Sequence, residues 1–281
     1  MISHLLKIKS QIKTNHPLIH CITNPISIND CANIVLATGA RPIMAEHPKE
    51  VEEITLTAGA LAVNLGNITD VRMESMMISG KIAAQNNIPS IIDAVGVACS
   101  KLRLEYAKKY ISKNKPSVIK GNMSEIKSLC DMDSHPVGID VGIEDATNPD
   151  TLLENLKTVQ KLSSITGSVI MVTGKIDIIS NGTKTYLIKN GCDMMSQITG
   201  TGCMLNVLTA SYISSKNILE GAVLGAASLG ICGQLSENAN GTGSFRTALL
   251  DNLFNLSDEQ IINLIRLEEK NIWKLILHYT W

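Results

Sequence analysis

Aromatic residues are scarce in this chain of 281 residues: two Phe, two Trp and five Tyr make up 3% of it. Val, Ile, Leu, Ala and Met must therefore fill the interior, which favours buried parallel strands flanked by helices with small side chains. The composition is 44% hydrophobic and 18% charged, which is enough apolar material for a large core and argues against disorder.

An excess of charge of one sign is also lacking. Lys and Arg number 25 against 26 Asp and Glu, the formal net charge is −1, and no run of five or six like charges occurs. This balance excludes a general electrostatic attraction to nucleic acid or to an anionic membrane. A small-molecule ligand is expected instead.

A disulfide framework and a structural zinc site are excluded by the cysteines, which are seven, widely scattered and without a C-x-x-C pair. The segment 1–17 is amphipathic and charged, with no apolar core of a signal peptide. Reduced thiols in a cytoplasmic protein are therefore expected.

The most apolar stretch, 221–236, is shorter than the roughly 20 residues that span a bilayer. It contains Gln234 and many small residues, which predict a buried helix.

Short apolar runs alternate with helical patterns along the chain, which predicts an α/β fold with a mainly parallel sheet and helices on both faces. Strands are predicted at 18–23, 41–45, 60–65, 90–95, 117–120 and 168–173. Asn181-Gly182 predicts a two-residue hairpin turn within 176–188, so antiparallel strands should join the sheet late. Only helices are expected afterwards, at about 201–215, 218–238, 243–255 and 257–278. We expect one domain over residues 1–281, with a surface excursion at 131–150.

Ligands of open parallel sheets bind beyond the carboxyl ends of the strands. Polar side chains at the predicted strand ends are therefore the ones to consider for a site. They are Thr23, Asn24, Asn64, Asp93, Lys120, Asn122 and Thr173, with Met44 at the end of another strand.

The segment QITGTGCML combines a glycine-rich turn with the start of an apolar helix. Gly200 and Gly202 allow close approach to backbone N–H groups, and Thr199 or Thr201 could cap the helix. The segment predicts a phosphate or oxyanion cradle with Cys203 at its rim. An ordinary glycine turn with a buried cysteine is the alternative. A nucleophilic thiol would need a nearby base, and none of the six histidines can be placed beside Cys203 from sequence.

The segment IKGNMSEI allows two interpretations of Glu125. Asn122 and Glu125 have the spacing of a capping box at the start of a helix. Alternatively, Glu125 helps to hold hydrated Mg2+ near phosphates, with Lys120 paired to a nucleotide phosphate. Asp93 is either a second acidic group for that ion or a solvated loop residue. Thr173 could contact a nucleotide through its hydroxyl.

Together these segments resemble the hydroxyethylthiazole kinases of the ribokinase-like superfamily, over nearly the whole chain. The resemblance rests on HCITNPISINDCAN, RPIMAEHPKEV, GALAVNLG, GNMSEI, VTGKIDII, ITGTGC and GTGSFRTALLDNL. It implies a three-layer αβα fold and transfer of the ATP γ-phosphoryl group, with Mg2+, to the alcohol of 4-methyl-5-(2-hydroxyethyl)thiazole. A cytoplasmic homotrimer with sites between subunits is also implied.

The resemblance assigns substrate binding to Met44, Gly200 and Asn24. It places Cys203 at the position where related enzymes carry an aspartate base, with Thr201 and Gly202 in the same catalytic turn. The chain departs from the family where the usual DPVG-x-G reads DAVGVAC.

The resemblance assigns ATP binding to Lys120 and Thr173, and Mg2+ binding to Asp93 and Glu125. Many relatives have arginine where Lys120 stands. Three other functions stay open: a kinase for another alcohol, a non-catalytic binder of nucleotide or thiazole, and a thiol enzyme with a histidine beside Cys203.

Overall fold

The computed structural model describes residues 1–134, 136–137, 140–141, 147–148 and 150–270. The strands are β1 (Leu18–Ile22), β2 (Arg41–Ile43), β3 (Ala60–Asn64), β4 (Ser90–Asp93), β5 (Val118–Asn122), β6 (Pro136–Val137), β7 (Asp140–Val141), β8 (Val169–Thr173), β9 (Asp177–Ser180), β10 (Thr185–Ile188) and β11 (Leu267–Lys270). The helices are α1 (Ile2–Asn15), α2 (Ile28–Ala37), α3 (Val51–Thr57), α4 (Asp70–Gln85), α5 (Lys101–Asn114), α6 (Met123–Leu129), α7 (Leu152–Thr166), α8 (Thr201–Ile213), α9 (Ile218–Leu235), α10 (Thr242–Asn255) and α11 (Asp258–Leu264). A short 3-10 helix, Asp193–Gln197, precedes α8.

Nine strands of the described part of the chain form one sheet in the order β11-β10-β9-β8-β5-β4-β3-β1-β2. The strands from β8 to β2 in this order pair in parallel. The pairings β8–β9, β9–β10 and β10–β11 are antiparallel. The predicted α/β class, with a mainly parallel sheet and late antiparallel strands, is confirmed.

The sheet has a hydrophobic core on each face because its strands alternate their side chains between the two faces. In β3, Ala60 and Ala62 face α1, α2 and α8 to α11. Leu61 and Val63 face α3 to α7 on the other side. The same alternation runs through β4, β5, β8, β9 and β10, which produces the expected three αβα layers.

The C-terminal part of the sheet differs from the prediction. The helix expected at 257–278 ends at Leu264, and β11 follows it and pairs antiparallel with β10. The prediction of helices only after the hairpin is therefore wrong, while residues 271–278 lie outside the described part. The strand was missed because its sequence, LEEK, has no apolar alternation: it is an edge strand that pairs through its backbone.

The late hairpin also has a longer connection than the two-residue turn predicted at Asn181-Gly182. Ser180 pairs with Thr185, so four residues connect the strands. The Asn181 side chain holds this connection by accepting hydrogen bonds from the backbone N–H groups of Thr183 and Lys184 at 3.1 and 2.8 Å. The positive φ of 85° lies at Gly182.

Helix α9 is the one described helix that is long and apolar enough to cross a membrane, and 78% of it is buried within the fold. It packs on α8 through glycines, as the prediction of a buried helix with small residues requires. Of the predicted surface excursion at 131–150, the described part includes the short antiparallel pair β6–β7. The rest of that excursion lies among the residues that the structure does not describe.

Candidate active site

The site lies at the carboxyl edge of the parallel strands, where the chain changes direction across the sheet. The connection after β1 leads to the edge strand β2, and the chain then returns to β3 on the other side of β1. Such a topological switch point is where open α/β sheets leave a crevice for ligands. The loop after β1 carries Asn24 and Ser27, and the loop after β3 carries Gly66.

The predicted site residues follow the strand order along this edge. Met44 follows β2, and Thr173 ends β8, five strand spacings away. At about 4.8 Å per strand, these two ends lie roughly 24 Å apart. The edge therefore has room for a small alcohol at one end and a nucleotide at the other, with the residues between them near the reacting groups.

Three side chains between these ends form a row across neighbouring strands. Asn64 pairs in register with Asp93, and Asp93 pairs with Lys120. Each lies two residues after a strand residue that faces the α8 layer, so all three point toward α8. The row comes from register alone, which explains how residues so far apart in sequence meet.

The row is joined by hydrogen bonds to Asp93. Lys120 Nζ donates to Asp93 Oδ2 at 2.9 Å, and Asn64 Nδ2 donates to the same oxygen at 3.1 Å. Burial raises the pKa of Asp93, and the charge of Lys120 opposes this shift. For Lys120, burial favours the neutral amine, but the attraction of Asp93 outweighs it and the pKa of Lys120 is raised. Lys120 is therefore a buried cation, and the alternative of a solvated Asp93 is excluded.

Helix α8 begins directly above this cation. Its N-cap is Gly200, whose φ of 92° is in the left-handed region that favours glycine. A Cβ built on Gly202 would lie 3.5 Å from Lys120 Nζ. The first N–H groups of the helix and the ammonium therefore face one place, which is an arrangement that binds anions.

The predicted threonine cap of α8 is wrong. No side chain among the described residues caps this helix, and Thr201 Oγ1 instead donates to the carbonyl of Met195 at 3.1 Å. That bond fixes the turn against the preceding 3-10 helix. The helix start is thus free of a side-chain cap, as a site that accepts a ligand oxygen requires.

The capping interpretation of Glu125 is confirmed. Glu125 Oε2 accepts from the Asn122 N–H at 2.7 Å, and Asn122 Oδ1 accepts from the Glu125 N–H at 2.9 Å. Glu125 also reaches the neighbouring loop, where Oε1 accepts from the Gly96 N–H at 2.7 Å. Burial and the repulsion of Asp93 raise the pKa of Glu125 to about 7. The two N–H donors and the charge of Lys120 favour the ionised carboxylate and so oppose this rise in pKa.

The acidic residues suit magnesium that keeps part of its water shell. No group of three or more His, Cys, Asp and Glu side chains among the described residues could hold a metal ion. Asp93 and Glu125 supply hard oxygen ligands, but several of their oxygens already accept hydrogen bonds. Mg2+ is often held by one or two carboxylates, waters and substrate phosphates, and this donor set fits that mode of binding.

Cys203 faces the switch-point loop. Asn24 Nδ2 donates to Cys203 Sγ at 3.0 Å, and Asn24 Oδ1 accepts from the N–H and the hydroxyl of Ser27, both at 3.2 Å. Ser27 packs beneath the glycine turn, since a Cβ on Gly200 would lie 3.1 Å from its Cβ. All seven cysteines are free thiols. No histidine within the described ranges shares a hydrogen bond with Cys203, so these residues supply no base for the thiol-enzyme alternative.

Met44 is half-buried and packs against the α8 side of the core. Its loop is held by two side chains that sequence reasoning missed. His20 is fully buried and its Nε2 donates to the carbonyl of Ala45 at 2.9 Å; burial lowers the pKa of His20. Arg72 is also buried, and its Nε lies 3.3 Å from Glu46 Oε2.

Arg72 links this loop to the neighbouring one. Its Nη1 donates to the carbonyls of Gly66 and Asn67 at 3.3 and 2.7 Å. No sequence pattern predicts this role, because an arginine early in a helix is ordinarily exposed. The loop after β2, which carries Met44, and the loop after β3 are thus linked by the buried side chain of Arg72.

At the other end of the edge, Thr173 is partly exposed at the end of β8. The turn that follows is held by Asp177, whose Oδ1 accepts from the Gly174 N–H at 2.9 Å. Burial raises the pKa of this carboxyl to about 7, and the Gly174 N–H and Lys120 oppose the shift. Asp177 was not among the predicted site residues, and it shapes the turn next to Thr173.

Two surface depressions lie at the opposite edge of the sheet, around the amino-terminal ends of β4, β5 and β8. They are lined by Pro89, Pro116, Gly167 and Ile218 among others. Buried charges do not converge there among the lining residues. The carboxyl edge is therefore the better candidate for a reaction site.

Comparisons with known proteins show the family and the fold of the chain. The model of the hydroxyethylthiazole kinase family matches residues 9–259. The chain is 62% identical over 262 residues to hydroxyethylthiazole kinase 2 of Clostridium botulinum strain Hall, covering 93% of this chain and 99% of that protein.

Two solved structures extend the comparison to the fold. A hydroxyethylthiazole kinase protein from Pyrococcus horikoshii OT3 superposes with a TM-score of 0.86 at 28% identity, covering 95% of this chain and 99% of the other. A ribokinase-like superfamily protein from Enterococcus faecalis V583 superposes with a TM-score of 0.61 at 13% identity, covering 88% and 89%, and so supports the fold alone.

Proposed function

The chain belongs to the hydroxyethylthiazole kinase family and is a phosphotransferase of that family, and we propose that the carboxyl-edge site carries out its reaction. The reaction is transfer of the ATP γ-phosphoryl group to the hydroxyl of 4-methyl-5-(2-hydroxyethyl)thiazole. One observation carries the proposal: the buried ammonium of Lys120 lies at the amino terminus of α8, with Cys203 in the first turn of that helix.

Lys120 and the N–H groups of the Gly200–Gly202 turn stabilise the charge on the transferred phosphoryl group. Transfer of this group depends mainly on positioning and on charge stabilisation, and fixed donors in a buried site provide both. Asp93 and Asn64 keep the Lys120 ammonium in place. Thr173 contacts the nucleotide at the far end of the edge, where Asp177 fixes the following turn.

Cys203 lies where a base on the acceptor alcohol would stand. The alcohol binds between Met44, the Asn24 loop and Gly200, with its hydroxyl toward Cys203. A weak base at this position is compatible with the reaction because little covalent chemistry is required of the protein.

Magnesium would be held by Asp93 and Glu125 through its waters, together with the phosphates of ATP. Its chemistry when bound is to neutralise phosphate charge. Glu125 serves this role and the capping box together, since its two oxygens are fixed by the Gly96 and Asn122 N–H groups. The carboxylate is therefore oriented before any ion binds.

A homotrimer with sites shared between subunits is part of the same proposal. Ile26, two residues after Asn24, is a large apolar residue with 68% of its surface exposed. Val71, near the Gly66 loop, is 52% exposed. Apolar residues exposed beside a site suit a subunit interface. Light scattering of the wild type and Ile26→Asp tests this: a monomeric wild type would contradict it.

We propose that residues 1–281 form one cytoplasmic domain that acts on small molecules, without a nucleic acid or membrane partner.

The kinase function is tested by measuring ATP consumption with the thiazole alcohol, with pyridoxal, with a hydroxymethylpyrimidine and with ribose, each with and without Mg2+. We expect turnover that depends on both the thiazole alcohol and Mg2+. Measurable binding of the thiazole alcohol without any turnover would exclude the kinase function, and preference for another acceptor would change the substrate.

A further inference from the structure

The amide of Asn24 has a fixed orientation. A backbone N–H can only donate, so the Asn24 atom that faces the Ser27 N–H at 3.2 Å must be the carbonyl oxygen. The NH2 group is consequently the end that faces Cys203 Sγ at 3.0 Å. This assignment follows from donor chemistry and not from the choice between two similar atoms.

The orientation decides the role of the sulfur. An amide NH2 has no acceptor capacity, so Cys203 Sγ accepts the hydrogen bond from Asn24. A proton on the Cys203 sulfur therefore cannot point at Asn24. It is directed to another side of the sulfur.

A chain of donors leads to this contact from the α2 side. Cys31 Sγ donates to Ser27 Oγ at 3.7 Å, Ser27 Oγ donates to Asn24 Oδ1, and Asn24 Nδ2 donates to Cys203 Sγ. Each of these bonds runs in the same direction. Cys31 and Ser27 are almost fully buried, so water does not compete for these groups.

The hydrogen-bonding capacity of Asn24 is nearly used up by these contacts. Its oxygen accepts twice from Ser27, and one of its two N–H groups is directed at Cys203. At most one N–H is left for a substrate. The structure thus favours a role toward the sulfur over the direct substrate contact that the sequence predicts.

We propose that Asn24 is a positioning residue that acts through Cys203: by donating to the sulfur it fixes one lone pair on the Asn24 side, so that another lone pair is left to accept the proton of the acceptor alcohol. This inference rests on the proposed kinase function. Ser27 supports it by holding the amide in the required orientation.

A double-mutant cycle tests the inference with Asn24→Ala, Cys203→Ala and the double variant. Calorimetry without ATP gives the Kd of the thiazole alcohol, and kinetics at saturating ATP give kcat/KM. We expect Asn24→Ala to lower kcat/KM about tenfold, the loss that corresponds to one hydrogen bond, with an unchanged KM for ATP. In the Cys203→Ala background the same substitution should have no further effect on kcat/KM or Kd. Equal effects in both backgrounds would show that Asn24 acts on the substrate directly and would overturn the inference.

Asn24→Asp provides a second variant of nearly the same shape. Its carboxylate keeps an acceptor for Ser27 but presents a second acceptor to the sulfur, so the thiol proton turns toward it and the lone pairs of the sulfur stay available to the alcohol. We expect a smaller loss of kcat/KM than in Asn24→Ala, and no such difference when Cys203 is alanine. Ser27→Ala, which keeps the backbone donor, should cost less than Asn24→Ala, and Ser27→Thr should restore the activity.

These outcomes separate the two proposals. A wild type without turnover of the thiazole alcohol contradicts the proposed function. An active wild type whose cycle is additive contradicts the role of Asn24 alone. The thermal unfolding midpoint of each variant shows which ones are folded, and Asn24→Asp gives the answer if Asn24→Ala is not.

Discussion

Lys120 Nζ and Asp93 Oδ2 form an ion pair at 2.9 Å in which both side chains are almost inaccessible, with 4% and 3% of their surface exposed. The pair joins the ends of β4 and β5 directly below the start of α8. Its two charges are compensated by each other, with Asn64 as a further donor to Asp93. Removal of either charge should therefore leave the other buried and unpaired.

Removal of one partner should be costly. We expect Asp93→Ala to lower the free energy of unfolding by about 3–5 kcal/mol, because Lys120 would stay buried without a partner. Denaturant unfolding measures this. The exposed pair Lys189–Glu268, at 3.0 Å, provides the control, and Glu268→Ala should cost about 1 kcal/mol or less. Equal losses of unfolding free energy in Asp93→Ala and Glu268→Ala would contradict the expectation that Asp93→Ala leaves Lys120 as a buried, uncompensated charge.

Gly200→Ala should damage both stability and substrate binding. Its φ of 92° is strained for alanine, and the new Cβ would lie 3.1 Å from Ser27 Cβ. A loss of about 1–3 kcal/mol in the free energy of unfolding is expected. The Kd of the thiazole alcohol should rise, because the turn and the Ser27–Asn24 contact move together.

Gly243→Ala is the matched control for that variant. Gly243 lies in α10, and a Cβ there has no neighbour within 4 Å among the residues that the structure describes. Alanine in a helix is favoured over glycine by about 0.5–1 kcal/mol, so this variant should be as stable as the wild type or more so. A Gly200→Ala protein that behaves like Gly243→Ala would show that the turn tolerates a side chain.

The stability of the protein should depend on pH through Glu125. Burial raises its pKa from 4.5 to about 7 in the folded state, so the folded protein favours the protonated acid. The stabilisation this gives is fully present below about pH 4.5 and is lost as the pH rises through about 7. A shift of this size corresponds to about 3 kcal/mol. The difference in unfolding free energy between wild type and Glu125→Gln should fall by that amount over this window, and parallel pH profiles would contradict it.

Glu125→Gln also tests the magnesium role. A neutral amide is a poorer ligand for a hydrated Mg2+, so the Mg2+ concentration at half-maximal kinase rate should rise several-fold. The titration should be made above pH 8, where the wild-type carboxyl is ionised. An unchanged titration would leave Glu125 with its capping role alone.

Cys203→Asp should retain the kinase activity or increase it. The carboxylate can accept the Asn24 hydrogen bond that the sulfur accepts at 3.0 Å, and it supplies a stronger hydrogen-bond acceptor for the alcohol. Turnover of the thiazole alcohol at saturating ATP is the measurement. Complete inactivity of a folded Cys203→Asp protein would argue against the base position.

The strand ends were predictable because polar residues directly follow buried apolar runs, as Asp93 and Lys120 do. Parallel strands then bring these ends to one edge. The contact between Asn24 and Cys203 was not predictable, since 179 residues separate them and no local pattern relates them. The strand β11 was missed because its sequence, LEEK, has no apolar alternation. The role of Arg72 could not be inferred because it depends on carbonyls that face it only in the folded chain.

The glycines of α9 help to position the anion site at the start of α8, although they do not contact it. A Cβ on Gly225 would lie 2.6 Å from Thr209 Oγ1 of α8, and a Cβ on Gly221 would lie 2.9 Å from the backbone N of Ile213. Thr209 is about 9 Å along the helix axis from Cys203, at roughly 1.5 Å per residue. A larger residue in α9 would therefore push α8 away from α9 and displace the donors at its start. The geometry of the phosphoryl-transfer site thus depends on the small residues of a neighbouring helix.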